Sequence, residues 1–564
     1  MGAGAVVAVA AFPAGEAVRI VIGRPPVVLF GDQALLALGA RRAGRFTQLL
    51  GPYSRDGFHH PGPALLYLLA PFVRLFAGSG TGLYLGAVVL NLVALAATVG
   101  LVWRRRGSLA ALWTAVVIDA FALCLGVSTL REPWNPYLIV VPMILWVLLW
   151  AAACGGSMAC GWWALVVGSF IVESEVAVAP TVLVLSVVMV VALIGRRHPS
   201  SRRWTAAGAA LLALIWVPPV VELFADHPNN ARLMWDSLTA DQGAGGSSGV
   251  SIAGDALSAM PFGNRDYTLA LHHPVWEVAV CVLVVAVSAV AAVRSARRRA
   301  DLEPLTVVTG AALVAVTGTL SLVIGPRPIY LYFAIWLAAV VPVALIGLGL
   351  AWFPDSGGPA VATGLAGATG LAVATGPAVA TGPAADRTAA TGTAIRPGPG
   401  PSRWMGARAR VGPAIAVLAV ALAGWTVVAD LGLPGIDHTI GSGPWPLNDS
   451  GTSTARARAV ADTAVLDRSV LDVLQNGDRR VSISVGSLGL WPLAAGVVLR
   501  LDERHVASTV TPVAMALYFD GEGTSAGVSL EYGLFPDADH SAVTGFGGTV
   551  LTDIDGTVLL YRRT

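Results

Sequence analysis

Residues 80–106 read GTGLYLGAVVLNLVALAATVGLVWRRR, an uncharged apolar run closed by Arg104, Arg105 and Arg106. About 20 such residues at 1.5 Å rise each are what a helix needs to cross roughly 30 Å of hydrocarbon. The pattern recurs along the chain. Spans are predicted at 2–22, 80–102, 108–128, 137–153, 161–175, 177–195, 204–222, 275–293, 303–324, 329–351 and 411–430, about eleven transmembrane helices. The first is interrupted by Pro13 and Glu16. It lacks a basic leader and a small-residue cleavage site, and so reads as a retained helix.

Composition agrees. With 55% hydrophobic and 12% charged residues among 564, and a mean hydropathy of +0.70, the chain is too apolar for a soluble globule. The net charge of +2 points to no particular partner, and the absence of a basic block interleaved with aromatics argues against nucleic acid. Cys124, Cys154, Cys160 and Cys281 sit in or beside spans. They show no zinc spacing and leave the C-terminal region without a disulfide framework.

The basic clusters set the topology. Arg104 to Arg106, Arg196-Arg197 with Arg202-Arg203, Arg294 with Arg297 to Arg299, and the arginines from 403 to 410 all fall on one side when spans are counted. By the positive-inside rule that side is cytoplasmic. A multi-pass protein of the plasma membrane follows, N-terminus inside, with 23–79, 129–136, 223–274, 325–328 and everything after 431 outside. Residues 354–402 repeat Ala-Thr-Gly at 362–364, 368–370, 374–376, 380–382 and 390–392 amid Gly and Pro, a composition that reads as a disordered cytoplasmic linker rather than a short β-solenoid. The chain therefore divides into a membrane module (1–353), this linker (354–402), a last span (403–430) and an extracytoplasmic α/β domain (431–564). In that domain 454–475 is a predicted amphipathic helix, 481–485 a strand, 491–501 helical and 549–562 a hairpin about Asp555-Gly556.

Polar chemistry concentrates in the first outer loop. Phe30-Gly31-Asp32-Gln33-Ala34 opens an amphipathic stretch. Gly51-Pro-Tyr-Ser-Arg-Asp-Gly-Phe-His-His-Pro-Gly-Pro63 follows, then an apolar run to Phe76. A carboxylate beside histidines at the lipid–water boundary can accept a proton; burial would raise its pKa and a nearby cation lower it.

This order of helix, acidic residue, amphipathic loop helix, Pro-rich turn and apolar helix resembles the GT-C superfamily of membrane glycosyltransferases. These draw a sugar from a polyprenyl-phosphate donor on the outer face. The layout is similar to that of protein O-mannosyltransferases and lipid A aminoarabinose transferases, and the 51–63 segment resembles an actinobacterial branch. The likeness covers about 1–350 in layout and only the first loop in motif. Many relatives carry Asp-Glu where this chain has Asp32-Gln33, which leaves a single carboxylate at that position.

The resemblance implies a GT-C-like polytopic α-helical fold and a direct, inverting displacement at the anomeric carbon. Asp32 would be the base that deprotonates the acceptor hydroxyl, Glu132 a second acidic residue facing the site. Tyr53, Arg55, His59, His60, Arg131, Arg327 and Tyr330 are the candidate substrate contacts. Each has a plainer reading: Asp32 as a helix N-cap, the histidines as turn residues before Pro61, Arg55 as a solvated surface group, Arg131 and Glu132 as a mutual pair, Arg327 as a snorkelling residue. Adjacent histidines are poorly placed to share a metal. No cofactor is expected, although a divalent cation is compatible with the chemistry. The expected partners are a polyprenyl-phosphate-linked sugar, a glycan or lipid acceptor, and membrane lipid. Asp119, in the third span, and Glu173 and Glu175 at an outer turn suggest one rival, a flippase for a lipid-linked precursor, and the Asp32-Gln33 departure permits another, a noncatalytic envelope scaffold.

Overall fold

The computed structural model describes residues 2–24, 27–54, 56–76, 80–194, 201–225, 228–239, 249–262, 275–325, 331–353, 402–431, 464–475, 477–487, 490–511, 528–554 and 557–563. All of the expected 354–402 linker but its last residue, together with Arg55, Arg327, Tyr330 and the Asp555-Gly556 turn, lies outside them.

Among the described residues, eight helices are long and apolar enough to cross a membrane. The first, α1 (Gly2–Gly23), runs through Pro13 without a break. Two amphipathic elements follow it, α2 (Gly31–Ala43) and α3 (Ala64–Leu75), then the 46-residue α4 (Gly80–Leu125). At 1.5 Å per residue α4 would be about 69 Å long if straight, more than twice the hydrocarbon thickness. It breaks at Gly107, whose φ of 80° and ψ of −176° no side-chain-bearing residue adopts cheaply. The break lies directly after Arg104–Arg106, between two of the expected spans. Two shorter apolar helices, Met158–Ser174 and Val411–Val427, coincide with two more. Among the described residues of the span expected at 329–351, the α-helix runs only from Val340, and it ends at Trp352. Before it, 3₁₀ turns place Tyr332 against Trp134, ring centres 4.9 Å apart, an aromatic contact that a regular helix would redirect.

Side-chain pairing sorts the loops into two ends. Arg106 forks onto Asp301 at 2.7 and 2.6 Å and Arg105 reaches Glu303 at 2.6 Å, which brings the 104–106 cluster to the chain following Arg299. At the other end Gln33 meets Glu132, the Ala64 N–H meets Glu173, and His59 pairs with Asn230. The loops gathered there are those that the count of basic clusters groups together.

The C-terminal domain is built on a five-stranded sheet with strand order β4-β3-β5-β7-β6: β3 (Arg480–Val485), β4 (Ala507–Thr511), β5 (Leu530–Pro536), β6 (Thr549–Ile554) and β7 (Thr557–Arg563). β3 is parallel to both β4 and β5, so the chain must cross over between β3 and β4, and the Trp491–Glu503 helix makes that crossing. β6 and β7 form the expected hairpin. The expected 454–475 helix is described from 464 to 473.

The 491–503 helix packs on α2, and its end is pinned there: Arg41 Nε donates to Asp502 at 2.5 Å and Arg45 Nη1 at 3.3 Å. Burial works to raise the Asp502 carboxyl, but the two arginines overcome it and hold the pKa below its ordinary value. A depressed carboxylate pKa contributes stability above the unfolded value, lost as pH falls through the folded one. Asp502→Asn is therefore expected to speed amide exchange in 31–43 and 491–503 at neutral pH, with the 80–125 helix unaffected. Unchanged exchange in both segments would show that the ion pairs do not hold the domain.

Candidate active site at the head of α2

The α2 helix starts at Gly31, with Phe30 as its extended N-cap residue, so Asp32 stands in the first turn rather than at the cap. A carboxylate there stands at the positive end of the helix dipole. Asp32 is half-buried and lines a cleft with Gln48, Tyr53, His59 and Asn135. The cleft holds about 20 Å³, room for a single water.

The opposite wall is a two-strand hairpin, β1 (Tyr53–Ser54) against β2 (Phe58–His59). Gly51 closes it, its N–H donating to the His60 carbonyl at 3.1 Å. His59 Nδ1 lies 3.1 Å from the Gly51 carbonyl. A carbonyl only accepts, so Nδ1 carries a proton, and in the neutral ring Nε2 is then the acceptor nitrogen. The Tyr53 ring stands edge-on to His59 at 5.2 Å. Asn230 holds the hairpin from outside. Its Oδ1 accepts from the His59 N–H at 2.7 Å, its Nδ2 donates to the His59 carbonyl at 2.8 Å, and its own N–H donates to Glu222 at 2.6 Å.

Asp32, Tyr53 and His59 are thus brought together, and the other described candidates lie around them. Glu132, 1% exposed, accepts from Gln33 Nε2 at 3.2 Å and from the Trp134 N–H at 3.1 Å. Gln33 also donates to the Tyr84 hydroxyl at 2.7 Å, so this amide ties Glu132 to the first turn of α2. Arg131 is turned towards the bundle, its guanidinium 3.1 Å from the buried Glu16 of α1. His60 faces the 173–178 turn, where its Nδ1 accepts from the Val176 N–H at 3.1 Å and its Nε2 lies 3.7 Å from Glu175. Nearby, Glu173 accepts from the Ala64 N–H at the start of α3. Among the described residues no three His, Cys, Asp or Glu side chains gather as a metal-ion site.

Burial, helped by the neighbouring His59, pushes the His60 pKa from 6.5 down to about 3. The folded chain keeps His60 neutral while the unfolded chain takes up a proton below pH 6.5, so this group costs stability as pH falls from 6.5 towards 3. His60→Asn, whose amide oxygen can replace Nδ1 as acceptor, is expected to flatten the decline in melting temperature between pH 7 and 4.5. An identical slope in the variant would place the acid sensitivity elsewhere.

Sequence reasoning passed over Asn230, Glu222 and Gln48. Asn230 lies more than 170 residues from its partner, and a lone Asn in a polar loop carries no pattern. Asn135 was visible only as part of a short Pro-flanked loop; its Nδ2 donates to the Ser174 carbonyl at 2.8 Å as it lines the cleft.

No family model matches the chain, and no curated protein does. Its fold, however, matches that of ArnT from Cupriavidus metallidurans bound to undecaprenyl phosphate, with a TM-score of 0.55 at 14% identity over 98% of this chain and 96% of that one. The apo form of ArnT from the same organism gives 0.53 and 13% over 95% and 94%. The chain is a multi-pass helical membrane protein with a C-terminal sheet domain, and its fold is similar to that of ArnT over nearly the whole length of both chains. At this identity the likeness establishes the fold alone.

Proposed function

We propose that this protein is an inverting glycosyltransferase that moves a sugar from a polyprenyl-phosphate donor to a cell-envelope glycan or lipid acceptor on the outer face of the membrane. The observation that carries the reading is the placement of Asp32. In a chain with the ArnT-like fold, a first-turn carboxylate lines a cleft opposite an imidazole and a phenol on a clamped hairpin. The ArnT structure bound to undecaprenyl phosphate supports a polyprenyl phosphate as the carrier.

In this mechanism Asp32 takes the acceptor hydroxyl proton as that oxygen attacks the anomeric carbon. One bond forms as the bond to phosphate breaks, so the configuration inverts, unlike the two-step retaining route. His59, oriented by Gly51, offers Nε2 as acceptor to a substrate hydroxyl, and the Tyr53 hydroxyl serves as donor to the leaving phosphate. Arg55, Arg327 and Tyr330 remain proposed contacts of the donor headgroup, and Glu132 and Arg131 act by position, holding Gln33 and Glu16. The 20 Å³ cleft is smaller than a sugar, so substrate entry displaces the hairpin or the 131–135 turn. The test is sugar transfer in membranes supplied with a panel of radiolabelled polyprenyl-phosphate sugars, wild type against Asp32→Asn. Lipid flipping in proteoliposomes without transfer would sink the proposal.

A further inference from the structure

The first loop, residues 23–79, carries Arg24, Arg41, Arg42, Arg45, Arg55 and Arg74 against only two acids, Asp32 and Asp56. Three of these arginines converge. Arg41 and Arg45, around the end of α2, and Arg74, in the last turn of α3, line a cavity of about 260 Å³ with Ala40, Gly44, Ala70 and Val73. It shares no lining residue with the Asp32 cleft.

The positive charge here exceeds what the fold uses. Asp502 accepts from both Arg41 and Arg45. It holds Arg45 through Nη1 alone, and that side chain is 48% exposed, so the rest of its fork is open. Arg74 is exposed and, among the described residues, has no hydrogen bond or ion pair. A basic residue in the last turn of a helix is common, because it offsets the carbonyl end of the dipole. That preference is met by each helix separately. It does not account for three guanidiniums around one cavity with a single carboxylate between them.

The surroundings select the anion. α3 packs inward through Leu65, Leu66, Leu69 and Val73, yet Leu68, Pro71 and Leu75 on its other face are exposed. Leu75, beside Arg74, is 73% exposed, and Phe46, beside Arg45, is 83% exposed. Apolar side chains on an open face with arginines at the end suit a helix lying at a membrane surface, its guanidiniums at headgroup depth. A free phosphate would leave those side chains in water. A zwitterionic headgroup would bring its own cation towards the arginines. A phosphate with no such cation, carried on acyl chains, matches both the guanidinium forks and the apolar face. The donor of the proposed reaction is not the occupant. Its phosphate is joined through one oxygen to the carbon that reacts at Asp32, whereas α2 rises about 14 Å from Asp32 to Arg41.

We propose that this cavity holds the headgroup of an anionic phospholipid, its phosphate between Arg74 and Arg45 and its acyl chains along the exposed face of α3. The lipid fastens α2 and α3 to the membrane surface, and the site does not rest on the transfer chemistry proposed for Asp32.

Native mass spectrometry of the delipidated full chain in detergent tests this, with dioleoylphosphatidylglycerol, dioleoylphosphatidylcholine and glycerol 1-phosphate titrated separately. Phosphatidylglycerol is expected to bind the wild type and Asp32→Asn alike, and more tightly than phosphatidylcholine. Its affinity should fall about fivefold in Arg74→Gln, the effect of one basic charge at an anionic surface, and recover most of that loss in Arg74→Lys. Arg298→Gln, which removes an exposed arginine from the 297–299 cluster, should bind like the wild type. Equal affinity for the two phospholipids, wild-type affinity in Arg74→Gln, an equal loss in Arg298→Gln, or glycerol 1-phosphate binding as tightly as the lipid would each overturn the assignment. Loss of phosphatidylglycerol in Asp32→Asn would overturn it too, by moving the lipid to the Asp32 cleft.

Discussion

Asp32→Asn is expected to reduce sugar transfer by about 10²- to 10⁴-fold, the range set by losing a general base. The substitution keeps the shape and the helix position and removes only the proton-accepting charge. Asp32 is half-buried in a first helical turn and the amide matches its size, so the variant should insert and melt like the wild type. The loss should appear in kcat, with donor affinity little changed, because deprotonation of the acceptor matters only as the new bond forms. Rate restored by raising pH would support a base role, since a more ionised acceptor needs less help. Transfer retained within about threefold would remove Asp32 from the mechanism, because base catalysis is worth far more than that.

Gly51→Ala should have the largest effect on folding. A Cβ at this position would stand 2.6 Å from the Gly62 and His60 carbonyl oxygens and 2.9 Å from that of Glu173. All three are backbone atoms, so no side-chain rotation relieves the clash; the hairpin must separate from the 173–175 turn. A cost above about 4 kcal/mol is expected, in the exceptional range for one substitution. Since Gly51 also holds His59 Nδ1, activity should fall with stability. The checks are the melting temperature in detergent and trypsin cleavage within 45–74. A variant that melts with the wild type would mean that the hairpin does not pack as described.

Much of the membrane module was legible because its signals are local. Apolar length marks a span whatever surrounds it, and arginine clusters mark loop parity by their order along the chain; the Arg105–Glu303 and Arg106–Asp301 pairs place two of those clusters together. The 329–351 span was less legible. Its first turns are shaped by Tyr332 and Trp134 packing together, a contact between residues almost 200 positions apart, and hydropathy registers both the 3₁₀ turns and the helix as apolar. In the candidate site, a polar loop between apolar runs pointed to Asp32, Tyr53 and His59 as a group. The separate fates of adjacent His59 and His60 were not readable, because the direction of a ring depends on which backbone groups approach it from other segments.

The sequence by itself determined that this is a helical membrane protein, which loops lie at the same end, and where the polar chemistry gathers. Each of these follows from hydrophobicity or charge summed over a stretch of chain. Only the tertiary structure decided that Gln33 bridges to Glu132, that Asn230 clamps His59, that Arg131 serves Glu16, and that the C-terminal domain rests on α2 through Asp502. Those depend on single donor–acceptor pairs meeting within about 3 Å across large sequence separations. Nothing in a linear pattern specifies such meetings until the helices have packed.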